Sequence, residues 1–344
     1  MPTSSIDGFF ACTLLVSVAL IVMASFAGAM QTNIDSQQGI NDQNYLKTTA
    51  EQIVCSAGSP VDWGSTGAVP NSFGLAKEAG AVYELDVDKI CRLHSQCSSA
   101  LLYSDVSKAA RLYDVAFGVT LTQMLSVQIE HAGNVTIDDV TTYNFEVSVA
   151  ANLEPVSSSL QCYIINADQV NTVSASTSSS GLGDFSFELS ASEPGPVLLV
   201  VFAKANLDER LTAYQTYSFI HVSGEQPPQN VLSLSPLNNQ LSVNFNQPDT
   251  TVNHVYALSF SHQSQLTQNP DGNYTIPKYL DKSPIVLAAT GSSQNIDFIE
   301  SASYPNLPLT FGSNFANTDQ NAFVYTVTIN EVLYKLTLTL GGLT

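Results

Sequence analysis

The chain has 344 residues, of which 44% are hydrophobic and only 12% are charged, and its formal net charge at pH 7 is −19. Most of that charge lies in residues 113–344, which contain 20 acidic and 5 basic side chains. An acidic, lysine-poor region of this kind repels phosphate backbones, so the composition excludes nucleic acid as a partner.

The first element in the chain is an uncharged apolar segment over residues 8–30, GFFACTLLVSVALIVMASFAGAM. A helix that crosses the hydrocarbon core needs about 20 apolar residues, and this segment lacks the polar stripe of a helix on a globular core. We therefore expect a long membrane or stalk helix within residues 1–56. Such a helix implies that the protein is located at the cell membrane with an extracellular C-terminal region, or in an extracellular filament. The membrane or assembly face is predicted to include Phe10, Leu14, Leu15, Val18, Ile21 and Phe26.

The sequence leaves three fates open for this apolar segment. Cleavage between Gly8 and Phe9 would leave a pilin-type assembly helix at the new N-terminus. The small residues Ala27-Gly28-Ala29 fit the cleavage pattern of a secretory signal, and cleavage after Ala29 would release a secreted protein. An uncleaved segment would instead keep the chain as a membrane anchor.

A series of short motifs follows the opening Asp7-Gly8-Phe9-Phe10 of the apolar segment. Through this series the first 115 residues, from about residue 7, resemble archaeal type IV pilin-like proteins, the membrane and surface proteins with class III signal peptides. The resemblance implies processing between Gly8 and Phe9. It also implies that the partners are the membrane and copies of the chain itself or other pilin-like subunits. The motifs that carry it are Pro60-Val61-Asp62-Trp63-Gly64, Phe73-Gly74-Leu75-Ala76, Tyr83-Glu84-Leu85-Asp86, Lys89-Ile90 and Leu93.

Residues 57–114 are predicted to form a loop and short helices at the junction between the stalk and the β region. Asp86 is a candidate N-cap for a first short helix, and Ser104 or Asp105 for a second. Trp63, the only tryptophan in the chain, is interpreted as a side chain that fills this junction rather than as a ligand-stacking residue.

From about residue 115 the hydrophobic pattern changes to a period of two, which predicts half-buried strands. Apolar and polar residues alternate over 145–149 and 185–189, and the continuous apolar run 197–202 predicts a central strand. Several short strands with Gly, Ser and Pro between them favour an Ig-like β-sandwich over residues 115–224.

A proline-containing linker over residues 223–228 precedes a second predicted β-sandwich over 229–344. Its clearest element is a terminal hairpin that turns at Asn330-Glu331, because Asn tolerates the positive φ of a tight turn. We expect its last strand to pair inside its own sheet rather than with a neighbouring subunit. The predicted fold class is α+β, mainly β, with a long N-terminal helix and two sandwich modules.

Sequence motifs for catalysis and cofactor binding are missing, because the chain contains no HExxH, GxSxG, P-loop or GxGxxG after a strand. The five histidines are scattered, and acidic pairs such as Asp138/Asp139 lack the spacing of an EF-hand. We therefore predict a protein that is not an enzyme and has no catalytic residues, metal site or cofactor.

Two kinds of covalent modification are predicted for an exported chain. The four cysteines outside the apolar segment could form disulfides, with the local Cys91–Cys97 pair as one option beside pairings of Cys55 and Cys162. The sequons at Asn134 and Asn273 are candidate glycosylation sites.

These observations favour a pilin-like structural subunit or minor pilin of an extracellular filament that displays β-sandwiches at the cell surface. An alternative is a membrane-tethered adhesion or binding protein that does not polymerise. A third possibility is a secreted protein cleaved after Ala29. The sequence does not identify the surface ligand.

Overall fold

The computed structural model describes residues 15, 16, 18, 20–26, 30, 43–167, 169–222, 227–278, 281–313, 315 and 320–341. The chain divides into two compact units, Met1–Glu51 and Gln52–Thr344. The described part of the second unit is mostly β and contains five antiparallel sheets.

The described residues of the first unit are helical, namely 15, 16, 18, 20–26, 30 and those from 43 onward. Within the described ranges, no helix has the length and apolar character required to cross a membrane. The predicted long N-terminal membrane helix is therefore wrong, and so is the location at the cell membrane or in an extracellular filament that was inferred from it. Residues 1–14, 17, 19, 27–29 and 31–42 of that prediction lie outside the described residues.

Residues 52–55, at the start of the second unit, are helical, and three short helices follow them. As predicted, Asp86 caps the second of them by accepting hydrogen bonds from the main-chain N–H groups of Asp88 and Lys89. The cap predicted at Ser104 or Asp105 is wrong, because the third helix already begins at Tyr103 and Asp105 lies in its first turn. The helices are α1 (Trp63–Thr66), α2 (Val87–Cys91) and α3 (Tyr103–Ala110).

Strand β1 (Ala116–Gln123) leads into the first sandwich, which consists of two sheets packed around one apolar core. Phe145 is fully buried there and stacks on Phe185 and Phe187 at centroid distances of 5.7 and 5.6 Å. The arrangement is compatible with the predicted β-sandwich. Its strands are β2 (Leu125–Ile137), β3 (Val140–Ala151), β4 (Glu154–Pro155), β5 (Ser158–Ile165), β6 (Val170–Ser176), β7 (Leu182–Ser190), β8 (Gly195–Ala205) and β9 (Thr212–His221).

The second sandwich follows the linker, of which residues 227 and 228 are described. Its two sheets share a separate core that also takes in Cys91 of α2. Two of its strands are very short, so the sequence pattern gives little sign of them. The strands are β10 (Leu232–Leu237), β11 (Gln240–Phe245), β12 (Thr250–Leu258), β13 (Gln263–Gln265), β14 (Tyr274–Thr275), β15 (Ile285–Ser293) and β16 (Ile296–Tyr304).

The two sandwiches have the same strand order. If β4 is left aside, each has a three-stranded sheet formed by its first, second and fifth strands. Each also has a four-stranded sheet with its strands in the order fourth, third, sixth, seventh. In the first sandwich these sheets are β2-β3-β7 and β6-β5-β8-β9, and in the second they are β10-β11-β14 and β13-β12-β15-β16.

The two four-stranded sheets also pack against each other through their outer faces, in a third apolar cluster. The residues that meet occupy equivalent positions, because Tyr163 lies opposite Val200 across β5 and β8 just as Tyr256 lies opposite Ala288 across β12 and β15. The interface between the sandwiches is therefore formed by equivalent faces of the two four-stranded sheets. The next equivalent positions along these strands are Ile165 with Leu198 in the first sandwich and Leu258 with Val286 in the second.

A fifth sheet joins the two ends of the β region. Strand β19 pairs with β1 on one side and with β18 on the other, so the last strand pairs within its own chain. The terminal hairpin belongs to this separate sheet and not to the second sandwich, where the sequence analysis had placed it. The predicted turn at Asn330-Glu331 is confirmed, with φ values of 49° and 68°. This base sheet has the order β17-β1-β19-β18, with β17 (Leu309–Gly312), β18 (Gln320–Ile329) and β19 (Val332–Gly341).

Candidate functional site

Three of the motifs that carry the pilin-like resemblance meet in one buried cluster around Trp63, Phe73, Gly74 and Lys89, which we call the Trp63 cluster. The Trp63 side chain is fully buried, donates from Nε1 to the Gly74 carbonyl oxygen at 3.2 Å, and lies 5.7 Å from the Phe73 ring. Trp63 therefore fills the junction, as the sequence analysis expected, and its burial removes it as a ligand-stacking residue.

Two buried cations complete the Trp63 cluster. Lys89 Nζ lies 5.8 Å and Arg92 Cζ 5.6 Å from the Trp63 ring centroid, within the range of cation–π attraction. Lys89 Nζ donates to the carbonyl oxygens of Ala57 and Ala76 at 2.8 and 2.7 Å. Burial lowers the pKa of the Lys89 ammonium, and the nearby carboxylates, Asp86 first, act in the opposite direction.

The Arg92 guanidinium forms hydrogen bonds with the main chain at both ends of α1. It donates to the carbonyl oxygens of Trp63, Gly67, Ala68 and Ser99. A buried arginine with several acceptors in fixed positions is a structural clamp, since its planar donors satisfy carbonyl groups that would otherwise be unpaired.

The glycines of the motifs are explained by close packing in the same cluster. A Cβ atom on Gly64 would lie 2.8 Å from both Cγ and the main-chain nitrogen of Lys89. A Cβ atom on Gly74 would overlap the carbonyl oxygen of Ser56. The spacing of these motifs therefore reflects the packing of a structural core and not a set of reacting groups.

The cluster is also connected to the second sandwich. Asp88 of α2 accepts hydrogen bonds at 2.7 Å from both the Asn238 main-chain N–H and the Tyr304 hydroxyl. Burial raises the pKa of the Asp88 carboxyl, against the effect of these two hydrogen bonds. Burial also raises the pKa of the Tyr304 hydroxyl, so the tyrosine donates to Asp88 over the whole physiological range.

The histidines lie in separate places. His221 is fully buried at the end of the first sandwich, where its ring nitrogens contact the Tyr143 hydroxyl at 3.0 Å and the Ser190 carbonyl at 2.8 Å. His262 Nδ1 lies 3.9 Å from a carboxylate oxygen of Asp281. Across the described part of the chain, no three His, Cys, Asp or Glu side chains are grouped so that they could hold a metal ion.

Among the cysteines that were predicted to form disulfides, Cys91, Cys97 and Cys162 are free thiols in the structure. Cys162 is buried in the core of the first sandwich, whereas Cys91 is buried in that of the second. Burial raises the pKa of the Cys162 thiol to about 12 and that of Cys91 well above its usual value, so both thiols are inert nucleophiles. Cys97 is half-buried and lines the same small space as Cys91, while Cys55 is exposed. The disulfide pairings stay predictions.

The two sequons differ in their surroundings. Asn134 is exposed on strand β2. Asn273 is half-buried, and its side chain accepts from Ser242 Oγ at 2.9 Å and donates to Asp271 at 3.3 Å. Glycosylation of either residue stays a prediction, with Asn134 as the more accessible acceptor.

The described residues of the N-terminal apolar segment are exposed to solvent. Among the predicted assembly residues, the exposed fractions are 71% for Leu15, 51% for Val18 and 66% for both Ile21 and Phe26. The possible cleavage residues Gly8 and Phe9 lie outside the described residues, as do Phe10 and Leu14. An exposed apolar surface of this extent is characteristic of a contact surface for a partner.

Comparison with known proteins gives no family. No family model matches the chain, and no curated protein matches it. Several solved structures align with it, including the following two. HBP35 of Porphyromonas gingivalis is 9% identical with a TM-score of 0.21, and the alignment covers 52% of this chain and 63% of that one. Red sea bream transglutaminase is 12% identical with a TM-score of 0.23, and the alignment covers 58% of this chain and 32% of that one. The chain thus spans less than two thirds of either structure.

Proposed function

We propose that this chain is a pilin-like structural subunit that associates with other copies through its N-terminal apolar residues. The observation that carries the proposal is the exposure of the large apolar side chains of the described segment between residues 15 and 30. Fully burying one such side chain stabilises a complex by about 1.5–3 kcal/mol before the costs of association. Several of them on each copy are enough to drive self-association.

The arrangement of the sandwiches supports a structural role for the second unit. Each has seven principal strands in two antiparallel sheets, in an order of the immunoglobulin-like type, which serves as a binding module in many proteins. The apolar interface between Tyr163 and Ile165 of one sandwich and Tyr256 and Leu258 of the other holds the pair together. A rigid pair of modules can present a surface to a partner without losing much conformational entropy.

The Trp63 cluster gives separate support to the same proposal, because its residues have a structural role. Three motifs of the pilin-like resemblance build one buried core that includes Lys89 and Arg92, and this core is bonded through Asp88 to the second sandwich. In this interpretation the motifs specify how the subunit is built rather than a reaction, which agrees with a non-catalytic protein.

Sedimentation velocity of the full chain over a range of concentrations tests the proposal. We expect the average sedimentation coefficient to rise with concentration, and the double substitution Ile21→Asp with Phe26→Asp to shift the chain to monomer. The matched control is Leu153→Asp with Leu207→Asp, because these side chains are 97% and 99% exposed outside the apolar segment. A chain that is monomeric at every concentration, or that loses association equally in the control, contradicts the proposal.

A further inference from the structure

A cavity of about 620 Å³ lies between the two sandwiches, beside the linker. This volume is within the range of roughly 300–1,000 Å³ that is usual for small-molecule sites, which occur preferentially between domains. The cavity is lined by β8 and β9 of the first sandwich, by β16 of the second and by residues 227–230.

The walls of this cavity combine apolar and polar surface, and the apolar part comes from three segments of the chain. Pro196 and Ile220 contribute from the first sandwich, Ile299 from the second, and Pro227 and Pro228 from the linker. Prolines and β-branched side chains have few conformations to lose, so a wall of this composition keeps its shape when a ligand binds.

Glu300 is the only ionisable side chain among the described residues that line the cavity. Its Oε1 accepts a hydrogen bond from the main-chain N–H of Val231 at 3.1 Å, and the Asn230 N–H provides a second bond. A carboxylate can accept about four hydrogen bonds, so acceptor capacity remains for a ligand. Burial raises the pKa of this carboxyl group, which indicates that water solvates the charge poorly.

We propose that this cavity binds a small organic cation with an apolar body, such as an arylalkyl ammonium ion, and that Glu300 pairs with its charged group. The sign of the ligand charge follows from the surroundings. No Lys or Arg belongs to the described lining, and residues 113–344 contain 20 acidic and 5 basic side chains. An anion would be repelled by Glu300 and by this field, whereas a cation restores the charge balance of a poorly solvated carboxylate.

Titration calorimetry of the full chain with three isosteric probes tests the proposal: phenethylammonium, the neutral phenethyl alcohol and the anion phenylacetate. We expect saturable one-to-one binding of the cation, at least about tenfold tighter than binding of the alcohol, and no binding of the anion. Saturable binding of none of the probes, or equal binding of all three, overturns the proposal.

Three variants locate the site. Glu300→Gln keeps an acceptor for the Val231 N–H and is expected to remove the preference for the cation over the alcohol. Ser218→Trp, at an exposed position on the cavity wall, is expected to block the cation and the alcohol alike. Glu193→Gln is the matched control, because Glu193 lines a different cavity of about 190 Å³. Cation binding that survives both of the first two substitutions, or that Glu193→Gln weakens equally, overturns the assignment.

Discussion

The two sandwiches share a strand order but differ in how their cores are completed. The first has long strands and a core with its own aromatic stack around Phe145, and every member of that core cluster lies between residues 125 and 219. The second has strands of only three and two residues at β13 and β14, and its core includes Cys91 of α2. The comparison shows that one topology can be stable through its own core or through support from a distant segment.

The largest expected effect comes from the self-contained core. Phe145→Ala removes a fully buried ring and leaves a cavity, which lowers the free energy of unfolding by about 3–5 kcal/mol. Chemical denaturation followed by fluorescence measures the change. Phe245→Ala, at a ring that is 55% exposed on the second sandwich, serves as the control and should change stability by about 0.5 kcal/mol or less. Equal losses in the two variants would show that the aromatic stack has no special role.

A smaller and more local effect is expected where the second sandwich depends on α2. Asp88→Ala leaves the Asn238 N–H and the Tyr304 hydroxyl without their acceptor, at a cost of about 1–3 kcal/mol. Hydrogen exchange should become faster in β10, β11 and β16 and stay unchanged in β2 to β9. Asp88→Asn, which keeps an acceptor oxygen, should lose less. Equal acceleration in both sandwiches would contradict the difference between them.

The pH dependence of stability should also come from the second sandwich. Burial raises the pKa values of Asp88 and Glu300 in the folded state. Such groups bind protons more tightly when folded, so the free energy of unfolding should rise as pH falls from 7 to about 5. Glu84 has the opposite effect, because its pKa is lowered, mainly by its hydrogen bond from Lys77. Its protonation lowers the free energy of unfolding, and this occurs only at lower pH.

Thermal unfolding of the wild type and of the double variant Asp88→Asn with Glu300→Gln, at pH 5 and 7, isolates this contribution. The variant should show a smaller gain in stability on acidification than the wild type. A gain of the same size in both proteins would assign the effect to the general negative charge of the chain rather than to these two carboxyl groups.

The smallest effect is expected at the interface between the sandwiches. The Tyr163 hydroxyl donates to the Phe260 carbonyl oxygen at a long 3.5 Å, so Tyr163→Phe should cost about 0.5 kcal/mol or less. Tyr163→Ala should cost several times more, because its ring belongs to the apolar cluster between the sheets. Denaturation curves of both variants give the ratio. A large loss in Tyr163→Phe would mean that the polar contact, and not apolar packing, holds the sandwiches together.

Local features of the fold could be predicted from the sequence. Alternation over 145–149 and 185–189 corresponds to β3 and β7, and the terminal hairpin turns at the predicted residues. The cap at Asp86 was also predicted. These features depend on residues close together in the chain, where periodicity and turn chemistry act directly.

Long-range features could not be predicted in the same way. The pairing of β1 with β19 joins segments about 200 residues apart, and no local pattern encodes it. Strands β13 and β14 are too short for periodicity, which hid the equal strand order of the sandwiches. The apolar run 197–202 did indicate a long-range contact, because a strand without alternation is covered on both faces. In the structure the second sandwich covers the outer face of this strand.

The candidate sites show the same limit. Burial of Lys89 and Arg92 against Trp63 could not be predicted, since charged side chains are rarely buried without partners and their carbonyl partners are distant in sequence. The cavity at Glu300 depends on three strands and a linker that come together only in the folded chain. The apolar N-terminal segment was evident from composition, but composition alone led to the wrong conclusion of a membrane helix.

Electron microscopy of the native full chain, beside the Ile21→Asp and Phe26→Asp double variant, tests the central claim most directly. The account predicts ordered assemblies with a regular repeat for the native chain and single particles for the variant. Single particles in both samples, or the same assemblies in both, would contradict a structural subunit that associates through its N-terminal apolar residues.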